Sequence, residues 1–276
     1  MPAERLWAQA LTVSDQAEAA GLLVPLETEL LQLDHAPFVI RRLLGATPKH
    51  LRAAGPRPNP FLPWERGLQV HRLGTSHVVL LNKYPVQRGH LLLINAGWKP
   101  QSGWIETADW EAVTAVSADT SGLWFFNSCA AAGASQPHRH LQLLPRRSGE
   151  TVCPLEPGFL ALLEETAPAA PQRWRFALSR RRQPGEASEL IRLYHQHCLE
   201  LGLGSPEQAA QPLAPYNLLF SDQWLMTVRR THEHSAGFSV NALGFAGYLL
   251  ATDESDMGWL QQNGPWSLLE DVAAAP

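Results

Sequence analysis

Residues Ser135-Gln136-Pro137-His138-Arg139-His140-Leu141-Gln142-Leu143-Leu144 constrain this chain more than any other stretch. Side chains alternate across a β-strand. A strand here therefore sends His138, His140 and Gln142 to one face and Arg139, Leu141 and Leu143 to the other. The leucines anchor their face in a core, which holds two imidazoles and a carboxamide in a row on the opposite side. Just upstream, Ala130 to Ala134 are small residues around Gly133, and glycine lets a backbone loop approach a ligand closely. Imidazoles beside such a loop point to phosphate or metal chemistry.

Composition narrows the setting. With 276 residues, 45% of them hydrophobic and 17% charged, the chain can bury a sizeable core and is not a disordered protein. A net charge of -4 argues against a general nucleic-acid binder, which carries a basic surface, but leaves room for a small anion held by local donors. Cys129, Cys153 and Cys198 have no paired spacing, so neither a disulfide framework nor a cysteine zinc site is indicated. No signal sequence and no apolar run of membrane-spanning length is visible, so a cytoplasmic protein with no membrane partner is expected. The sequence carries no signal for oligomeric state.

Several elements can be placed. Pro2 to Ala20 reads as a helix, with Leu6, Ala10 and Val13 at helical spacing. Arg41 to Pro63 reads as a long excursion, in which Pro56, Pro58, Pro60 and Pro63 exclude regular helix. His77 to Asn82 and His90 to Ile94 are short apolar runs, read as buried strands joined by the turn-rich Lys83 to Gly89. Asn82 and His90 themselves read as structural strand-end groups. Thr107 to Val116 predicts a helix with Thr107 as N-cap and Trp110, Val113 and Val116 facing inward. Leu123 to Asn127 is a further buried strand. Arg146 to Gly149 and Arg180 to Gly185 read as solvated turns around a segment without clear periodicity. Ser188 to Leu201 is an amphipathic helix with Leu190, Ile191, Tyr194, Cys198 and Leu201 along its stripe. Asn217 to Phe220 and Trp224 to Val228 form a hairpin about Ser221-Asp222-Gln223, and Phe238 to Ala251 reads as loop then helix. Strands and helices without regular alternation predict an α+β fold, a largely antiparallel sheet flanked by helices.

The histidine ladder admits three readings. An imidazole can attack phosphorus and carry the transferred group, provided its other ring nitrogen is held by a hydrogen bond and donors surround the phosphoryl oxygens. His140, flanked by His138 and Gln142, suits that nucleophile, with Ser135 and Gln136 as loop donors. Alternatively His138 and His140 ligate zinc, although no third ligand is near. In the third reading both histidines are structural. Elsewhere, Trp98, Trp104 and Trp110 could stack a nucleobase or fill the core, and His232 with His234 reads as surface loop.

The stretch Phe126-Asn127-Ser128 through Gly133-Ala134-Ser135-Gln136-Pro137-His138-Arg139-His140-Leu141-Gln142 resembles the active-site segment of diadenosine tetraphosphate (Ap4A) phosphorylases. These belong to the galactose-1-phosphate uridylyltransferase branch of the histidine-triad superfamily. Asn82-Lys83-Tyr84-Pro85-Val86 with His90-Leu91-Leu92-Leu93, Tyr216-Asn217-Leu218-Leu219, and Ser239 to Gly247 resemble the same family. The likeness implies a histidine-triad-like single compact domain with two related halves. In it, residues 1–60 form an N-terminal helical and Pro-rich segment, 61–188 the catalytic part and 189–276 a C-terminal part completing the fold.

It also implies ATP adenylyltransferase activity. His140 would attack an α-phosphorus of Ap4A and expel ATP, and inorganic phosphate would then take AMP from the adenylyl-histidine to give ADP. His138 would orient the site. Gln142 stands where hydrolytic relatives carry a third histidine and is associated with transfer. Lys83, Asn127, Ser128, Ser135, Gln136, Asn217 and Arg230 would contact substrate. A divalent cation, Mg2+ or Mn2+, would accompany the polyphosphate, with no tightly bound cofactor. Cys129 occupies a position where the family usually has glycine, and Arg229-Arg230 stands for its usual Pro-Arg. A hydrolase or another nucleotidyltransferase of the superfamily, or a non-catalytic nucleotide-binding protein, are the rival functions.

Overall fold

The computed structural model describes residues 3–32, 37–45, 59–166 and 173–276. Pro56 and Pro58 of the expected excursion lie outside the described residues. In chain order the strands are β1 Thr28–Leu30, β2 Val39–Leu43, β3 Gln69–Leu73, β4 His77–Leu81, β5 Leu91–Asn95, β6 Gly122–Asn127, β7 His140–Pro145, β8 Phe176–Arg180, β9 Tyr216–Phe220, β10 Trp224–Arg229, β11 His234–Ser235, β12 Phe238–Ser239 and β13 Tyr248–Ala251. The helices are α1 Arg5–Ala19, α2 Thr107–Ser117, α3 Glu156–Leu163, α4 Ala187–Glu200, α5 Ala242–Phe245 and α6 Met257–Val272.

Eight strands form one antiparallel sheet in the order β3-β4-β5-β7-β6-β9-β10-β8. Its central strands are largely apolar because both faces are covered: every residue of β4, β5, β6 and β9 is buried. One face packs on α1, α2 and α4, through Leu6, Trp110, Val113, Leu190, Tyr194, Leu141 and Leu143. The other packs on α3, α5 and α6 and on a small sheet, β1-β2-β13, through Phe159, Phe245, Leu268, Ile40 and Leu249. Among the described residues no helix is long and apolar enough to cross a membrane.

The α+β class and the antiparallel sheet agree with the sequence reading, and several details differ. The helix at Thr107 is capped by Glu106, not Thr107: the carboxylate of Asp109 accepts the Glu106 backbone N–H at 2.8 Å. Phe238 to Ala251 ends in a strand as well as containing a helix, because β13 pairs in parallel with β2. No local pattern could announce a strand whose partner lies some 200 residues away. Arg181 is not solvated: it is buried, and its guanidinium donates to the carbonyls of Ser221 and Pro184, both at 2.7 Å. The unassigned segment after Pro145 holds α3 and β8.

Beneath the ladder lies a buried polar cluster. Arg139 turns towards α2, as its alternation requires, and donates to Asp109 at 2.9 Å, with both side chains almost fully buried. His77 and Asn95 also contact Asp109 Oδ1, at 3.0 and 2.9 Å. Burial alone would raise the Asp109 carboxyl, but His77, Arg139, the Glu106 N–H and Asn95 outweigh it and bring the group down to about 2. Removing one partner of a buried ion pair leaves the other charge unpaired. Asp109→Ala should therefore cost about 3–5 kcal/mol of stability, read as a lowered urea midpoint with unchanged slope.

Candidate active site

The strand proper begins at His140, but extended geometry runs back to His138, which makes a bridge with Pro100. The expected alternation holds: Arg139 and Leu141 face the helices, and His138, His140 and Gln142 face the other way. Each ring nitrogen of His138 has a partner. Asn59 Oδ1 accepts the Phe61 N–H at 2.9 Å, so its amide NH2 faces His138 Nδ1 at 3.1 Å. His138 Nε2–H then donates to the Asn95 carbonyl at 2.8 Å. His140 Nδ1–H donates to the His138 carbonyl at 2.8 Å, which leaves Nε2 with the lone pair. Phe61 packs against both rings, at 5.7 and 5.5 Å between centroids.

Burial, partly offset by the His138 carbonyl, pushes His140 down to about 4, so at neutral pH the ring is uncharged. His138 is lowered too, first by burial and further by nearby Arg139. With both His138 nitrogens engaged, the pair cannot clamp a metal, and the described residues hold no group of three metal-binding side chains.

A cleft of about 1270 Å³ opens on this face of the sheet. Gln142, Asn127, Ser135 and Gln136 line it, together with Gly133. Gly133 has φ 86°, and a Cβ there would come within 2.6 Å of Asn241 Cβ, so the small-residue loop needs glycine to pack on α5. Cys129 also lines the cleft; its φ of -162° is extended backbone open to any residue, so the position does not require glycine. Trp98 lies on the wall, edge-on to His138 at 5.4 Å. Trp110 and Trp104 are core residues. His232 and His234 are exposed, and His234 reaches the cleft rim.

Four expected contacts sit elsewhere. Lys83 is exposed beside the cleft, with its ammonium 5.8 Å from the Tyr84 ring. The Ser128 hydroxyl is buried and accepts the Tyr216 N–H at 2.8 Å, so it staples β6 to β9 and does not face a ligand. Asn217 is wholly buried, and its NH2 donates to Asn127 Oδ1 and the Ala132 carbonyl, both at 2.8 Å. Arg230 does not line the cleft. It is buried, and its donors go to Asn217 Oδ1 and the carbonyls of Val272, His232 and Val240. These three residues position Asn127 and the glycine loop from behind.

The structure adds residues that the sequence did not mark. Gln101, 2% exposed, accepts the His140 N–H at 2.8 Å and donates to the Asn127 carbonyl at 2.7 Å. It thereby ties β7, which carries His140, to β6. His90 lies on the cleft wall instead of acting only at a strand end. Arg41 and Arg146 supply positive charge there, anchored to the Thr28 and Tyr248 hydroxyls at 2.9 and 3.1 Å.

A neutral imidazole with one oriented lone pair, on a sheet beside a glycine loop with Gln142 two residues on, defines a site suited to nucleophilic transfer of a phosphoryl-type group. Comparison with known proteins narrows the class. A model of the Ap4A phosphorylase N-terminal domain matches residues 1–160, and one of the ATP adenylyltransferase C-terminal domain matches residues 168–275. The chain belongs to the Ap4A phosphorylase family. It is 23% identical over 209 residues to diadenosine 5',5'''-P1,P4-tetraphosphate phosphorylase 2 of Saccharomyces cerevisiae. That alignment covers 66% of this chain and 64% of the yeast enzyme, just under two thirds of its length. The crystal structure of yeast Ap4A phosphorylase Apa2 superposes with a TM-score of 0.73 at 18% identity, covering 99% of this chain and 98% of the other. The same enzyme in complex with Ap4A gives 0.70 at 19% identity over 98% of this chain and 96% of the other. Its complex with AMP gives 0.70 at 19% over 97% and 94%.

Burial pushes His90, His140 and His197 each down to about 4, whereas in the unfolded chain they titrate near ~6.5. The stability they contribute is complete above that unfolded value and is lost as pH falls towards 4. Around pH 5 the unfolded chain takes up nearly three protons that the fold refuses, a slope of about 3–4 kcal/mol per pH unit. Urea melts at pH 7.5, 6 and 5 should show this steepening decline.

Proposed function

We propose that the protein is an Ap4A phosphorylase that converts Ap4A and inorganic phosphate to ADP and ATP. The observation that carries this reading is the hydrogen bond from His140 Nδ1 to the His138 carbonyl, which aims an uncharged Nε2 lone pair from the sheet. That nitrogen attacks an α-phosphorus of Ap4A: the N–P bond forms, the P–O bond to the leaving group breaks, and ATP departs. An oxygen of inorganic phosphate then attacks the same phosphorus from the opposite side. The P–N bond breaks, ADP leaves, and the lone pair returns to Nε2. A covalent intermediate divides one hard displacement into two easier ones.

The donors around the transferred phosphoryl would be the Gln142 carboxamide and the Ser135 and Gln136 side chains, all on the cleft wall. Arg41 and Arg146 would face the remaining phosphates, and Lys83 the end of the chain nearest the Tyr84 turn; charge-assisted bonds of this kind are the stronger ones. The cleft volume exceeds that of ordinary small-molecule pockets, about 300–1,000 Å³, which suits a dinucleotide. Trp98 would stack one adenine. The carboxylates lining the cleft among the described residues, Glu233 and Glu254, are at its rim. A Mg2+ or Mn2+ ion would thus travel on phosphate oxygens and water, with little direct protein ligation. The three free thiols, two of them buried, suit the reducing cytoplasm as its compartment.

His140→Ala should lower phosphorolysis by at least roughly 10⁴-fold and abolish the adenylyl-enzyme trapped by acid quench, with the urea midpoint near that of the parent. Product analysis provides a second check. Ap4A with phosphate should give ADP and ATP in equal amounts, and omitting phosphate should stop net turnover after one equivalent of ATP per site. AMP as the main product under both conditions would mark a hydrolase instead.

A further inference from the structure

His90 is 7% exposed, yet it lines the cleft, and its two ring nitrogens are treated differently. Asn82 Oδ1 accepts the Tyr84 backbone N–H at 3.1 Å, which fixes the Asn82 amide. The Asn82 NH2 therefore faces His90 Nδ1, at 3.1 Å. Nδ1 is the acceptor, and in a neutral ring the proton must sit on Nε2. That buried Nε2–H completes no hydrogen bond of normal geometry among the described residues, although Gln142 is its hydrogen-bonding neighbour. A buried donor left unpaired costs about 1–3 kcal/mol, so an acceptor brought into line with it is stabilising.

The sheet register shows where this donor is aimed. Leu92 pairs with Gln142 across β5 and β7, which makes His90 and Gln142 diagonal neighbours on one face. The His90 ring reaches over to Phe125 on β6, 5.7 Å between centroids, and Phe125 itself pairs with Gln142. The imidazole thus lies across β7 where the Gln142 side chain rises. The Gln142 side chain is a hydrogen-bonding neighbour that favours a proton on this ring, and nearby His140 opposes its protonation. Burial keeps it neutral well below physiological pH, so it stays an N–H donor and does not become a competing cation.

We propose that His90 is a positioning residue for the transfer reaction: with nucleotide bound, its Nε2–H donates to the carboxamide oxygen of Gln142 and so turns the Gln142 NH2 towards the phosphoryl group at His140. A carboxamide is nearly symmetric in shape, and nothing else described fixes which end of Gln142 faces the ligand. The wrong end would set a carbonyl oxygen against phosphoryl oxygens. His90, held in one tautomer by Asn82, removes that choice. The inference rests on the phosphorylase reading for its kinetic consequence and on the protein alone for its tautomer.

The test uses two substitutions and one spectroscopic measurement on the full chain. His90→Leu keeps an apolar body against Phe125 and loses the donor; His90→Gln places an N–H near the position of Nε2. For His90→Leu, kcat for phosphorolysis should fall roughly 10- to 100-fold with little change in KM, and His90→Gln should recover most of the loss. In a Gln142→Ala background, His90→Leu should have almost no further effect, because its route of action is already gone. Equal damage from both substitutions, or effects that multiply in the double variant, would overturn the proposal.

Nitrogen-15 histidine NMR of the unsubstituted protein should show the His90 proton on Nε2, and its resonance should shift on adding AMP to the parent but not to the Gln142→Ala variant. A proton on Nδ1, or identical shifts in both, also overturns it, whether or not the His90→Leu variant folds. If the parent produces no ADP from Ap4A and phosphate, the functional reading fails separately and the NMR arm still decides the role of His90.

Discussion

One buried arginine holds the site together from behind. Arg230 gives its guanidinium to three backbone carbonyls and to Asn217, and Asn217 passes the constraint to Asn127 and to the carbonyl of Ala132 in the glycine loop. Asn127 Oδ1 also receives the Ala242 N–H at the start of α5. A single connected set of hydrogen bonds therefore spans β6, β9, the end of β10, α5 and the end of α6. Burial lowers Arg230 to about 10, which still leaves it charged at neutral pH. A buried charge is tolerable only when its donors are satisfied, and here satisfying them locks the cleft floor to the glycine loop.

The same economy of donors and acceptors governs the imidazoles. His138, His140 and His90 each present one ring nitrogen to a defined backbone or amide partner, and that partner dictates where the proton sits. Burial then removes the charge. A protonated His140 would have no lone pair to offer, and protonation of His138 would set a cation against the Asn59 amide. Arg139 and Asp109 steady this arrangement from the opposite side of the sheet, where their own charges stay away from the cleft. Chemistry on one face thus depends on electrostatics buried under the other.

The ladder, the neighbouring strands and the hairpin at Ser221 were legible because alternation and turn residues are local signals. The burial of Trp110 and Val113 was legible for the same reason. What could not be read was the fate of polar side chains whose partners are distant in the chain. The resemblance implied Arg230, Asn217 and Ser128 as ligand contacts, and only the folded chain, with β9 beside β6 and the end of α6 behind, reveals that their partners are internal. Gln101 and Arg41 sit in segments without a motif and gain meaning from a fold that brings them to β7 and to the cleft. His90 carried the most misleading signal. It stands at the start of an apolar strand, where a structural histidine is ordinary, and only the Asn82 bond and the unpaired Nε2 separate it from one.

The adjacency of β6 and β9 bears on how the protein is made. Asn127 at the end of β6 pairs with Asn217 of β9, so an edge in the middle of the sheet has to wait for a strand synthesised some ninety residues later. At ribosomal speeds of about 5–20 residues per second, the nascent chain carries that open edge, and an Asn127 without its amide partner, for roughly 5 to 20 seconds. Open edges are templates for wrong pairing. The strand that carries His140 is made early, whereas the floor beside it is assembled only when β9 arrives. The order of translation therefore keeps the cleft floor unfinished until β9 has been made.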